Sequence, residues 1–143
     1  MARGSVNQVV EALAKVDLFE GLSQRQLKVL ASECREQIHA DGATIVADGD
    51  TSARFYLITD GTADVKVNGR KRTELGAGQY FGEIAVLDKG PRTAAVIASS
   101  TCTTLSLAPF NMRAALRENP DMALRLLVAV CARLRAADKA LTS

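Results

Sequence analysis

The segment ADVKVNGRKRTEL, residues 63–75, predicts a β-hairpin. Two extended segments flank the Asn68-Gly69 pair. Asn-Gly is the preferred sequence of a two-residue type I′ turn, because both central residues of that turn need a positive φ. The hairpin therefore predicts antiparallel strands in this part of the chain.

The same pattern extends to both sides of the hairpin. From about residue 36 the hydrophobic period changes and turn signals recur at short intervals. The further turns lie at Asp41-Gly42, Asp48-Gly49, Asp60-Gly61 and 76–78. Segments rich in β-branched and aromatic residues occupy 43–47, 54–59, 63–67, 93–98 and 103–107. Many short strands of this kind predict an antiparallel barrel, sandwich or jelly roll.

Helical patterns precede this β region. Valines and a leucine at helical spacing predict a helix over residues 5–16. A second helix is marked by Ser23 and Gln26, which are spaced as a capping box, and by Leu22 and Leu27, which are spaced as a hydrophobic staple. Its expected buried face consists of Leu27, Leu30, Ala31 and Cys34.

Two more helices are predicted after Leu107. Pro109 suits a first helical turn, and Asn119-Pro120 ends that helix because proline disfavours a helical residue before it. Asp121 then begins a long final helix towards Leu141. Helices at both ends of a β core make the predicted fold class α+β, with a β-roll or jelly-roll-like core.

The final helix carries a heptad seam, which is the spacing that two helices need to pack side by side. Its members are Ala123, Leu127, Val130, Leu134, Ala137 and Leu141. One interpretation is a homodimer formed through this helix. The other is a helix lying on its own barrel, with Leu124, Val128 and Cys131 supplying the buried face.

Composition excludes several classes of protein. The 143 residues suit one domain, which we place at 1–143, and the net charge of +2 gives no argument for nucleic acid. No apolar run reaches the ~18 residues of a membrane span, and the N-terminus has no secretory signal pattern. We interpret Cys34, Cys102 and Cys131 as buried free thiols, which predicts a cytoplasmic protein. With His39 as the one histidine, we expect no metal site and no enzyme.

The segment FGEIAVLDKGPRTAAV, residues 81–96, brings an acid and a base close together. Gly82 lets the backbone approach a ligand, and a short helix begun by Glu83 would present free amides suited to phosphate. The Glu83 carboxylate suits a ribose hydroxyl. Arg92, expected to open the next strand, suits a singly charged phosphate, and Thr93 adds a hydroxyl. The plainer alternative is a surface salt bridge between Glu83 and Arg92.

Taken together, FGE, the aliphatic run and PRTAAV resemble the phosphate-binding cassette of cyclic nucleotide-binding domains. That family includes the bacterial catabolite activator protein and the regulatory subunit of protein kinase A. LFEGLS before the second helix, YLITDGTADV and the two closing helices occur in the family's order. The resemblance covers nearly the whole chain and implies an eight-stranded β-roll flanked by helices, with cAMP or cGMP as ligand and no cofactor.

The resemblance also implies roles at the phosphate. Arg92 pairs with the cyclic phosphate, the amides of Ile84 and Ala85 cap it, and Gly82 gives access to it. Thr93 hydrogen-bonds phosphate or base.

Around the sugar, the resemblance implies that Glu83 accepts the ribose 2′-hydroxyl and that Val65 lines the pocket. Arg133 on the long helix reaches the ribose-phosphate end. Where the bacterial activator has two hydroxyl residues against the adenine, this chain has Ala137 and Asp138. Arg135 or Asp138 is the alternative purine contact.

The favoured interpretation is a regulatory module in which the final helix closes over the nucleotide. We expect this module to prefer cAMP to cGMP. In the family, a threonine after the cassette arginine is often associated with cGMP. The alternative is a degenerate domain that serves protein interaction or dimerisation. We expect no DNA-binding module in this chain, which is either a stand-alone sensor or one domain of a longer regulator.

Overall fold

The computed structural model describes residues 6–142, with side chains up to residue 141. Five helices flank or interrupt the strands of this part of the chain. They are α1 Val6–Ala14, α2 Gln24–Glu33, α3 Glu83–Asp88, α4 Pro109–Glu118 and α5 Pro120–Thr142, with a 3-10 turn at Asp17–Phe19. The predicted start of the first helix at residue 5 lies outside the described residues.

Eight strands form two antiparallel sheets. The strands are β1 Arg35–His39, β2 Thr44–Val46, β3 Phe55–Asp60, β4 Ala63–Val67, β5 Arg70–Leu75, β6 Tyr80–Phe81, β7 Ala95–Ala98 and β8 Cys102–Leu107. The first sheet has the order β1-β8-β3-β6 and the second has the order β2-β7-β4-β5. The predicted α+β class with an antiparallel β-roll is confirmed.

The hairpin that joins β4 to β5 has the predicted turn. Asn68 and Gly69 have φ values of 53° and 77°, which is the signature of a type I′ turn, and Val67 pairs with Arg70 across it. Between Val65 and Lys66 the register shifts, so that Val65 pairs with Thr73 rather than Arg72. This β-bulge decides which β5 side chains share a face with Val65.

The sequence patterns missed two strands. Strand β1 shows no alternating burial, and it is held by pairing with β8 along its whole length. Strand β6 has only two residues, Tyr80 and Phe81, which pair with Leu57 and Tyr56 of β3. Both strands depend on partners far away in the chain, which local patterns do not encode.

Two hydrophobic clusters lie on the two faces of β3. Phe55 and Leu57 pack in the larger cluster against the helices. Tyr56 and Ile58 pack in the second cluster, between the two sheets. Because successive side chains of a strand point to opposite faces, one central strand joins the helical layer to the wall that supports the cavity described below.

The N-terminal helices confirm the local signals. The Ser23 hydroxyl accepts a hydrogen bond from the Gln26 amide at 3.1 Å, and the Ser23 amide donates to Gln26 Oε1 at 2.9 Å. Leu27, Leu30, Ala31 and Cys34 are all buried. The Gln26 side chain also donates to Asn119 Oδ1 at 2.8 Å, which ties α2 to the junction of α4 and α5.

Helix α5 packs on the domain through a face that differs from the predicted one. Met122 and Leu126 are its buried residues, whereas Leu124 and Val128 are 60% and 63% exposed. Cys131 is exposed as well, so the prediction of three buried thiols is wrong for Cys131 and confirmed for Cys34 and Cys102. The physical reason is that α5 contributes no buried side chain from residue 131 to residue 141.

Candidate functional site

A cavity of about 500 Å³ lies against the second sheet, α3 and the loop that follows α3. All eight predicted site residues line it: Val65, Gly82, Glu83, Ile84, Ala85, Arg92, Thr93 and Arg133. They come from β4, from the segment 82–93 and from α5. Residues that are far apart in the sequence therefore meet at one site, and their binding of a ligand stays a prediction.

Gly82 is required by the backbone at the floor of this cavity. Its φ is +92°, and a Cβ at this position would lie 2.4 Å from the Arg54 carbonyl oxygen and 2.6 Å from Arg92 Nη1. Any other residue would be strained and would collide with both atoms. Gly82 also precedes α3, and its carbonyl accepts from the Val86 amide at 3.3 Å. The amides of Glu83, Ile84 and Ala85 therefore have no acceptor within the helix.

Glu83 is 1% exposed at the first position of α3. Arg133 Nη1 donates to Glu83 Oε1 at 2.6 Å and contacts Oε2 as well. Arg133 Nη2 donates to the Tyr80 carbonyl at 3.3 Å, and its guanidinium lies 5.7 Å from the centre of the Tyr80 ring. The alternative of a Glu83–Arg92 salt bridge is wrong, because the carboxylate pairs with a cation on α5.

The pKa of Tyr80 responds to this ion pair, in which Glu83 is buried and Arg133 is partly exposed. Burial raises the pKa of the Tyr80 hydroxyl, and the negative charge of Glu83 raises it further, while the positive charge of Arg133 opposes the increase.

Arg92 is the second buried charge at the cavity, with 7% of its surface exposed. It does not open a strand as predicted, since β7 begins three positions later at Ala95. Its backbone is bound instead to the loop before β3. The Arg92 amide donates to the Asp50 carbonyl at 2.9 Å, and the Arg92 carbonyl accepts from the Gly49 amide at 2.8 Å. These contacts place the side chain at the cavity wall.

The Arg92 guanidinium has few protein partners. Its Nη2 donates to the Arg54 carbonyl at 2.5 Å, and its Nε is buried with no acceptor among the residues that the structure describes. Within the same residues it forms no ion pair. Burial lowers the pKa of Arg92 because the cation loses hydration, and the nearby acidic groups of Tyr56, Asp50 and Glu83 oppose this decrease without reversing it.

Sequence reasoning missed the polar residues Thr73 and Gln79, which also line the cavity. Counting from the Asn68-Gly69 turn would pair Val65 with Arg72, and only the bulge brings Thr73 opposite Val65. Arg135 and Asp138, which we considered as purine contacts, do not line the cavity, whereas Arg133 of the same helix does. No pattern local to these residues could have predicted either result.

A larger open groove of about 750 Å³ runs beside the first cavity. It lies between residues 15–18, residues 78–80 and α5, and Arg133 lines both spaces. The groove contains neither Glu83 nor Arg92. We therefore assign the candidate site to the smaller cavity, because of these two spaces it is the one that combines a buried acid, a buried base and free helix amides.

Two other kinds of feature were sought in the described part of the chain. Residues 6–142 contain no group of three or more histidine, cysteine, aspartate or glutamate side chains arranged to hold a metal ion. Within the same range, none of the helices has the length and apolar character needed to cross a membrane.

Comparison with solved structures supports the fold. The catabolite activator protein of Thermus thermophilus superposes with a TM-score of 0.77 at 29% identity, covering 87% of this chain and 61% of that chain. The regulatory domain of Toxoplasma gondii protein kinase A, crystallised with cAMP, gives a TM-score of 0.77 at 26% identity, covering 87% of this chain and 49% of that one.

Sequence comparison leads to the same family. The human potassium/sodium hyperpolarization-activated cyclic nucleotide-gated channel 4 is 33% identical over 110 residues, which is 77% of this chain and 9% of the channel. The chain thus spans about a tenth of the length of this curated relative. Residues 36–119, more than half of the chain, match the family described as cyclic nucleotide-binding domain. The protein therefore belongs to the cyclic nucleotide-binding domain family.

Proposed function

We propose that this domain binds a cyclic nucleotide, with cAMP preferred to cGMP, and that binding is coupled to the position of α5. The observation that carries the proposal is the buried Arg92, which lacks an anionic partner within the described residues although it lines a cavity. A buried donor without an acceptor costs about 1–3 kcal/mol. A phosphate in the cavity would remove that cost and supply the missing negative charge.

The phosphate end of the cavity suits a small anion. Arg92 offers a planar set of donors, and the amides at the start of α3 lie beside Gly82, where no side chain blocks the approach. The volume of about 500 Å³ lies within the range of small-molecule sites. A cyclic phosphate carries one negative charge, which one guanidinium can neutralise.

The other end of the cavity suits a hydroxyl. A carboxylate offers about four lone-pair positions, and Arg133 Nη1 occupies part of this capacity at Glu83. Glu83 can therefore accept a hydrogen bond from a ribose 2′-hydroxyl while it stays paired with Arg133. The preference for cAMP is supported by the Toxoplasma gondii regulatory domain, which was crystallised with that nucleotide.

Coupling to α5 would run through Arg133. The helix is anchored near its start by Met122 and Leu126, and beyond residue 130 the side chains described are exposed. Arg133 reaches from this exposed part to Glu83. A ligand that contacts Glu83 changes the free energy of the Glu83–Arg133 contact, and the position of α5 responds to that difference.

Titration calorimetry with cAMP and cGMP tests the binding proposal. We expect saturable binding of both with a lower Kd for cAMP, and much weaker binding of 5′-AMP, whose phosphate is not cyclised. Tighter binding of cGMP would reverse the proposed preference. Absence of heat with both cyclic nucleotides, at concentrations where the protein is folded, would refute the function.

Coupling can be tested with the chain's own thiol. Cys131 is exposed whereas Cys34 and Cys102 are buried, so a spin label or an environment-sensitive dye would attach selectively two residues from Arg133. We expect the signal to change when cAMP is added. The same label in Arg133→Gln should report a smaller change at saturating cAMP, and an identical response in both proteins would refute coupling through Arg133.

A second candidate function is dimerisation without ligand binding. It is favoured by the exposure of Leu127, Leu134 and Leu141, which recur every seven residues along α5. Thermal unfolding separates the two functions, because a ligand at about 100 times its Kd stabilises the protein by ~2.7 kcal/mol. No shift with either nucleotide, together with a dimer in sedimentation that Leu134→Lys dissociates, would favour this candidate.

A further inference from the structure

Arg92 contacts one ring of an aromatic pair, Tyr56 and Phe81, that the sequence patterns did not single out. The guanidinium carbon of Arg92 lies 6.0 Å from the centre of the Tyr56 ring. On the same ring, Phe81 stacks at a centroid distance of 5.0 Å and an interplanar angle of 6°. Tyr56 thus contacts both the Arg92 cation and the Phe81 ring, and of these three residues Arg92 and Phe81 line the cavity.

The backbone fixes the position of the aromatic pair. Tyr56 on β3 and Phe81 on β6 are direct partners in the antiparallel register, and both are buried in the second hydrophobic cluster. Side chains opposite each other on neighbouring strands have little freedom to move apart. Tyr56 therefore presents a rigid ring face to the flexible side chain of Arg92.

The remaining contacts of Arg92 do not orient its plane by themselves. Nη2 has one acceptor, the Arg54 carbonyl, and Nε has none among the described residues. A single hydrogen bond fixes one atom of the guanidinium and leaves rotation about that bond open. A ring within about 6 Å attracts the cation and restricts this rotation.

We propose that Tyr56 is a positioning residue for Arg92, and that its ring holds the guanidinium in the orientation that receives the ligand phosphate. The proposal rests on the proposed function, since it concerns the same cavity. Pre-ordering a long side chain lowers the entropy lost on binding, so the ring contributes to affinity without touching the ligand.

Substitutions of Tyr56 test the proposal through cAMP affinity. Tyr56→Phe keeps the ring, and we expect its Kd to stay within about twofold of the original value. Tyr56→Leu removes the ring face, and we expect a Kd increase of roughly 2- to 30-fold. Leu105→Ala is the matched control, because Leu105 is buried in the larger cluster and does not line the cavity; it should lower stability and leave the Kd unchanged.

A double-mutant cycle distinguishes positioning from general packing. In an Arg92→Met background, Tyr56→Leu should have no further effect on the Kd, because the group that it positions is gone. An equal effect in both backgrounds would contradict the proposal. Should Tyr56→Leu fail to fold, progressively fluorinated phenylalanines at position 56 keep the shape and withdraw electron density, and the Kd should rise with each fluorine.

The outcomes separate this proposal from the proposed function. Binding of cAMP by the unmodified protein, with equal affinity in the Leu and fluorinated variants, overturns the role of Tyr56 alone. Absence of cyclic nucleotide binding by the unmodified protein overturns the proposed function and the role of Tyr56 together.

Discussion

Glu83 and Arg92 stand nine positions apart in the chain and line the same cavity, yet their surroundings differ. Glu83 is buried and paired with Arg133 of α5. Arg92 is nearly as buried, but its protein partners are one backbone carbonyl and an aromatic ring. One end of the site therefore forms an ion pair within the protein, and the other forms none among the described residues. Under the proposed function, we expect the arginine end to set the affinity for the nucleotide and the glutamate end to link the site to α5.

We expect the largest effect from removing the charge of Arg92, which forms no ion pair among the described residues. Arg92→Ala should weaken cAMP binding by about 2–5 kcal/mol, which is about 30-fold to several thousand-fold in Kd, because the bound phosphate would lose its charged partner. Calorimetry measures this change directly. Arg72→Ala, at an exposed position of β5 outside the cavity, should bind normally. If Arg92→Ala bound cAMP with unchanged affinity, the proposed role of Arg92 in binding the phosphate would be wrong.

The next effect concerns the glycine between the two ends. Gly82→Ala should lower the free energy of unfolding by about 2 kcal/mol or more, since the new Cβ meets a positive φ and two close atoms. It should also weaken cAMP binding by displacing Arg92. Gly69→Ala is a close control, because its φ is +77° and nothing lies within 4 Å of the new Cβ. If urea denaturation showed equal destabilisation of the two variants, the Arg54 carbonyl and the Arg92 guanidinium would have to move away from the new Cβ at little cost.

A smaller effect tests the compensated end. Arg133→Ala leaves the buried Glu83 carboxylate without its cation and should lower the free energy of unfolding by about 1–2 kcal/mol, a value reduced by the partial exposure of Arg133. Arg92→Ala should cost less stability in the absence of ligand, because it breaks no ion pair and removes one hydrogen bond to the Arg54 carbonyl together with an Nε donor that lacks an acceptor among the described residues. Adding Glu83→Gln to Arg133→Ala should recover part of the loss. If Arg92→Ala lowered the free energy of unfolding more than Arg133→Ala does, the proposed difference between the two ends of the site would be reversed.

We expect the smallest effect from His39, which should change the stability of the fold without changing ligand binding. His39 donates to or accepts from Thr104 Oγ1 at 2.9 Å, and burial lowers its pKa below the ordinary value. The unfolded chain then binds the proton more readily, so the stability that His39 contributes is present above about pH 6.5 and is lost as pH falls through the lower pKa of the folded state. His39→Gln should flatten the decline in unfolding free energy towards pH 5 without changing cAMP affinity. An unaltered pH profile would exclude His39 as the source.

Much of the fold could be predicted because its signals are local. The Asn68-Gly69 turn, the capping box at Ser23 and the helix start at Pro109 depend on contacts within a few residues, and the structure has all three. Six of the eight predicted residues that line the cavity lie in the segment 81–96, which resembles a known cassette, whereas Val65 and Arg133 were predicted from the resemblance elsewhere in the chain. By contrast, strand β1 was missed because it lies at the edge of its sheet and pairs with β8, which is more than sixty residues later in the chain.

The sequence by itself determined the order of the helices and of all strands except β1 and β6, the cassette and the family to which the chain belongs, since short-range spacing and residue type suffice for these. Only the tertiary structure decided that Glu83 pairs with Arg133, that Arg92 has no anionic partner among the described residues, that Thr73 lies opposite Val65, and that α5 packs through Met122 and Leu126. Each of these results depends on which surfaces meet when distant segments pack together. The burial of a residue and the partner of its side chain depend on these long-range contacts, and the residue's neighbours in the chain do not specify them.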